Sequence, residues 1–197
     1  MSIVRPVFKY DLNRDVDTAQ AMASRLVPFV YETELFGYTP DDLPKLTIGG
    51  LLMRLHRLIL LGNLLSDEQR ERLATAQQQL DSVKYEWLVA YTKKTTDELI
   101  MRINEWDQFL SECKHNQDEC SDLYPSIAEK RVMAQILANE ARELNALTPD
   151  IEKRLNGIDS QLQDYFKSGN FIWDQRLQQV YPQNQYGFLY IDNLIDL

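Results

Sequence analysis

The strongest constraint on what this chain can fold into is an apolar seam near its middle. Leu73, Ala76, Leu80, Val83, Trp87 and Ala90 are separated by alternating steps of three and four residues. Such steps return a side chain to one face of an α-helix, whereas a strand alternates faces every second residue and has no use for them. A seam of this pitch predicts a helix packed lengthwise on a partner at a shallow crossing angle. Ser66 and Gln69 stand just before it as a capping box, each able to satisfy a backbone donor at the helix start.

The same grammar extends through the rest of the chain. Leu99, Ile103, Trp106, Leu110 and Cys113 restart the seam in shifted phase, with Thr95 and Glu98 as a second capping box. This predicts a bend over 92–98 and a new helix over 96–114. After a polar stretch from His115 to Pro125, Ser126 and Glu129 form a third box and start a helix that ends near Leu147. Thr148 and Pro149 open the next, along which Ile151, Leu155, Ile158, Leu162 and Tyr165 repeat at helical spacing. So short a link makes these two an antiparallel hairpin.

Upstream, Val16, Ala19, Ala23, Leu26, Val30 and Leu35 predict a helix over 15–36, which Pro28 must kink or split. A helix over 47–65 is apolar on two sides and is expected to be covered on both. Trp173, Leu177 and Val180 predict a last short helix before Pro182. Val4, Val7 and Phe8, with Phe188, Tyr190 and Ile191, have strand-like composition, which leaves room for a small terminal β pair. The expectation is therefore an all-α fold of six or seven helices built from antiparallel helical hairpins. One domain spans 1–197, and 181–197 form an apolar tail.

Charge narrows the function classes. Lys and Arg number 21 against 30 Asp and Glu, a net charge of −9 that repels nucleic acid and anionic lipid. No nucleic-acid partner is expected. The most apolar window, 46–65, is interrupted by Arg54, His56 and Arg57 and is not a membrane span. Residues 1–12 lack the apolar core of an export signal, and two cysteines are no secreted disulfide framework, so reduced thiols and a cytoplasmic location are expected.

Three groups of residues are candidates for function. Arg54, His56 and Arg57 lie on the most apolar helix, where guanidinium groups are expected to meet acids of the first helix such as Glu32 or Glu34, to snorkel to solvent, or to hold an anionic ligand. Cys113, His115 and Cys120 stand among Glu112, Asp118, Glu119 and Asp122, so soft, borderline and hard metal ligands fall within eleven residues, 112–122. That segment is the basis for an alternative reading as a metal-dependent hydrolase, although a zinc site usually takes four ligands in a familiar spacing and His56 is the one other histidine. Trp87, Tyr91 and Trp106, and in the tail Tyr186, Phe188 and Tyr190, are aromatic anchors of the kind that interfaces use.

Catalytic templates do not fit. Gly49 and Gly50 lack a Walker lysine, and there is no Gly-x-Ser-x-Gly elbow. No cofactor is expected. The leading expectation is a non-catalytic interaction or adaptor protein whose partner is another protein or a second copy of itself. A small-ligand module around Arg54, His56 and Arg57 is the alternative.

Overall fold

A computed structural model of the protein describes residues 9–40, 42–113 and 117–194. Among these the fold is all-α, with α1 (Leu12–Ala23), α2 (Leu26–Tyr31), α3 (Ile48–Leu60), α4 (Asp67–Glu86), α5 (Leu88–Cys113), α6 (Gln117–Glu143) and α7 (Pro149–Tyr165). A small antiparallel pair, β1 (Phe166–Phe171) and β2 (Tyr190–Leu194), completes it. Phe166 lies opposite Leu194, Ser168 opposite Ile191 and Phe171 opposite Tyr190, with the register shifting between these points. The strand pair thus uses Tyr190 and Ile191 of the expected C-terminal residues, Phe188 lies in the 3-10 turn Gly187–Leu189, and the other strand is the segment after α7. Val4, Val7 and Phe8 lie outside the described residues.

Pro28 splits the first predicted helix, and the break falls at Ser24 and Arg25, between α1 and α2. A proline ring clashes with the carbonyl four residues upstream, and Ser24 is that residue. The capping box of Ser66 and Gln69 forms as expected and starts α4.

The bend expected over 92–98 falls instead at Trp87, and α5 runs unbroken through 92–98. The Thr95 hydroxyl donates within the helix to the Tyr91 carbonyl at 2.8 Å rather than capping a new start. Glu98 is drawn away altogether: its carboxylate accepts from the Gly49 N–H at 2.9 Å, at the first turn of α3. Thr47, the local N-cap, accepts from the Gly50 N–H at 2.9 Å. Two buried donors without a partner inside α3, at its positive end, are therefore satisfied, one by a neighbour in sequence and one by a carboxylate from another helix.

A second correction concerns α6. It begins at Gln117 and continues through Pro125, where the sequence suggested a loop ending at Ser126. The Ser126 hydroxyl donates to the Leu123 carbonyl at 2.8 Å and caps nothing. Tertiary partners hold the proline turn in place. The Trp173 indole donates to the Pro125 carbonyl at 2.8 Å, and the Tyr124 hydroxyl to the Phe188 carbonyl at 2.7 Å. The short helix expected before Pro182 reduces to a 3-10 turn, Gln175–Leu177. Asp174 explains this, because its carboxylate accepts from the N–H groups of both Tyr10 and Arg176 and so fixes a tight turn.

The chain divides into two compact units. One comprises 11–101 and 133–147, the other 1–10, 102–132 and 148–197. In the first, α1 packs on α3 and α4. A Cβ at Gly49 would stand 2.8 Å from a Glu98 oxygen and 2.9 Å from a Leu137 methyl carbon. Both neighbours are fully buried, so this glycine is what allows α3 to approach α5 and α6 so closely.

The second unit is organised around rings. Trp106 lies 5.8 Å from Phe109, 5.7 Å from Tyr124 and 6.3 Å from Phe188, centroid to centroid. Tyr181, Tyr186, Leu189, Tyr190 and Ile191 are buried as well. The Tyr190 hydroxyl donates to the Tyr181 carbonyl at 2.7 Å. The aromatic and aliphatic side chains of 181–191 are thus core, while 182–185 and Gly187 face outward.

Candidate interaction surface

Arg54 and Arg57 are 6% and 2% exposed, each a full positive charge inside the first unit. Asp15 supplies a carboxylate to both. One Asp15 oxygen lies 3.4 Å from Arg54 Nε and 3.8 Å from Arg57 Nη1, and Arg54 Nη1 also donates to the Gly50 carbonyl at 2.8 Å. An anionic ligand here would have to displace or share a native counter-ion. His56 is half-buried on the same helix.

Glu32 and Glu34 serve a different cation through their backbone. Their carbonyls accept from Lys94 Nζ at 2.8 and 2.7 Å, and the ammonium sits 3.9 Å from the centre of the Phe29 ring. Burial pulls the Lys94 amine below its ordinary range, against the opposing pull of the neighbouring carboxylates. Tyr91 is fully buried and donates to Glu140 at 2.9 Å, and Glu140 in turn pairs with Lys84 at 2.6 Å. Burial, reinforced by the Glu140 charge, raises the Tyr91 hydroxyl well above its usual value and keeps it neutral.

Cys113 and Cys120 are joined in a disulfide, with Cα atoms 5.4 Å apart. The expectation of reduced thiols is overturned, because the end of α5 and the first turn of α6 bring the two sulfurs together. With both sulfurs bonded, neither is a thiolate for a metal. His115 lies outside the described residues. Among those described, no group of three or more His, Cys, Asp or Glu converges on a point. Closing so short a loop restrains the unfolded chain by about 2–3 kcal/mol in the chain-entropy account.

Of the aromatic anchors, Tyr91, Trp106, Tyr186, Phe188 and Tyr190 are buried, and Trp87 alone is partly exposed. Part of the apolar surface that the fold leaves in water lies around Trp87, while Tyr38, Ile59, Leu60 and Leu64 are exposed elsewhere. Tyr85 is 89% exposed, Val89 85% and Leu88 52%, spaced i, i+3 and i+4 across the junction of α4 and α5. The Trp87 ring meets Tyr31 edge-on at 4.7 Å, and Tyr31 is itself exposed. Glu86 borders this pair: after the effect of burial, its charge is what raises the Tyr31 hydroxyl. The inner faces of both helices are buried along Leu80, Val83, Tyr91 and Thr95, so the outer residues are not needed to fill the fold. The sequence singled out Trp87 as an aromatic anchor but did not reach its exposed neighbour Tyr85. Leu88 and Val89, off the seam, were the missed signal.

Comparison with protein-family models, with curated proteins and with solved structures returned no match. No helix among the described residues is long and apolar enough to cross a membrane.

Proposed function

We propose that this is a non-catalytic interaction protein that docks another protein on the outward face at the junction of α4 and α5. The observation that carries the reading is the near-complete exposure of Tyr85 and Val89 beside Leu88 and the Trp87–Tyr31 pair. Single exposed apolar side chains are ordinary on any surface, but an exposed tyrosine beside a partly exposed tryptophan brings together residue types that often carry binding energy in interfaces, and Leu88 and Val89 add apolar area beside them. A second copy fits the site less well, since two chains of net charge −9 repel. For the compartment, the disulfide favours surroundings in which thiols oxidise over the cytoplasm expected from the cysteine count.

A photo-cross-linking residue placed at Val89 in the native cell tests the docking face. The expected result is one discrete conjugate, lost when Leu88→Asp is added and absent when the same probe is placed at Glu71, on the exposed surface of α4. No conjugate at Val89, or an equal yield at Glu71, would overturn the reading.

A further inference from the structure

Pro125 lies inside α6. A proline has no N–H, so the helix hydrogen bond from position 125 to the carbonyl at 121 does not form, and one rung between 117–124 and the rest of the helix is missing. The eight residues upstream of the proline are too few to hold a helix by themselves, since isolated helices shorter than about 12–15 residues are marginal in water. Among the described side chains of 117–123, Cys120 alone is buried; Ser121 is half-buried, and Asp122 and Leu123 are exposed.

Cys120 is tied through the disulfide to Cys113, the last residue of α5. Phe109 lies one turn before Cys113 and Tyr124 one turn after Cys120, and their rings stand 6.1 Å apart, so the disulfide forms the next layer beyond that ring contact. Tyr124 is held independently, by Trp106, by Phe109 and by its hydrogen bond to the Phe188 carbonyl. Pro125 is held through its own carbonyl by Trp173. The described anchors of this end of α6 therefore fall into two sets: tertiary contacts from Tyr124 onward, and a covalent bond ahead of them.

We infer that the Cys113–Cys120 bond is a redox-sensitive latch: oxidised, it holds 117–123 as the first turns of α6, and reduced, it lets that segment open while the helix from Tyr124 onward stays in place. The reductant is a small thiol of the glutathione class. One thiolate attacks a cysteine sulfur, the S–S bond breaks and a mixed disulfide forms. A second thiolate displaces the remaining cysteine, so the pair gains two electrons and two protons and the two small thiols leave as their own disulfide. Both cysteines are buried, so attack requires a local opening, and the missing rung at Pro125 is where the helix opens most readily. The closed form belongs to surroundings in which thiols oxidise, the open form to a reducing compartment.

The test is amide hydrogen exchange of the full chain, read by mass spectrometry before and after incubation with reduced glutathione under native conditions. Thiol titration should find no free thiol in protein purified without reductant, and both cysteines free after the incubation. Reduction is expected to speed exchange over 117–123 by about tenfold or more, the constraint of a short closed loop being lost, and to leave 126–143 and 186–191 unchanged. Oxidised glutathione should restore the original pattern. Cys113→Ser with Cys120→Ser should reproduce the reduced pattern with no thiol present. Pro125→Ala restores the N–H and should slow reduction by about fivefold, the worth of one backbone hydrogen bond. Unchanged exchange over 117–123 would overturn the latch, as would two free thiols that oxidised glutathione does not join. An equal rise along the whole chain, in the reduced protein or in the serine variant, would overturn it too and make the bond a staple of the entire fold. A reduction rate that Pro125→Ala leaves unaltered would overturn the role given to the proline.

Discussion

Asp15→Ala is expected to destabilise the protein by about 3–5 kcal/mol, the usual cost of removing one partner from a buried ion pair. For a chain of this size that lowers the thermal midpoint by roughly 10 °C. The argument starts from the arginines. Arg54 and Arg57 are carried on α3 because its apolar faces leave them one narrow edge, and α1 lays Asp15 against that edge. Asp15 lies with Thr18, Ala19 and Met22 on the buried stripe of α1, so its carboxylate is committed to the interior. Asp15→Asn keeps the shape and removes the charge, and its effect should fall between wild type and Asp15→Ala. If the arginines instead existed to hold an external anion, Asp15→Ala would leave stability close to wild type and tighten the binding of inorganic phosphate.

Trp106→Ala is expected to cost about 3–5 kcal/mol, in the range of a large aromatic side chain removed from a packed core. Its ring is fully buried against Phe109, Tyr124 and Phe188, and Tyr124 holds the C-terminal segment through the Phe188 carbonyl. Trp106→Phe should cost much less. The indole Nε1 has no acceptor among the described residues, so phenylalanine removes a buried donor that makes no hydrogen bond with them while keeping most of the ring contacts. Denaturant unfolding of the two variants checks both. An Ala variant as stable as wild type would mean that Trp106 is held for a partner rather than for the core.

The helical class was legible because the seams are long and strictly spaced, and because two of the starts, Ser66 with Gln69 and Thr148 with Pro149, are fixed by neighbours in sequence. The misread boundaries share one physical cause. Thr95 with Glu98 and Ser126 with Glu129 have the composition of caps, but in each case tertiary structure claimed the group first: Glu98 went to the Gly49 N–H, and the helix through Pro125 was held by Trp173 and Tyr124. Local chemistry cannot anticipate a partner about 50 residues away.

The candidate site was legible by type and not by place. Aromatic abundance pointed to surplus apolar surface, and the Tyr-rich tail was its obvious source. That tail is buried against Trp106, Tyr124 and Trp173, and the exposed apolar side chains stand elsewhere, Tyr85, Leu88 and Val89 among them. These residues fall on the face opposite the seam, and spacing alone makes a residue off the seam look like part of a second buried stripe. The arginines needed a counter-charge, and Asp15 in the first turn of α1 supplies one, whereas Glu32 and Glu34, after α2, meet Lys94 through their carbonyls.

Covalent footprinting of the isolated full chain, read by mass spectrometry at each residue, tests the central claim most directly. Heavy labelling of Tyr85, Leu88 and Val89, with Trp106, Tyr181, Phe188 and Leu189 protected, is the expected result. Heavy labelling across 181–191 with Tyr85 to Val89 protected would contradict it.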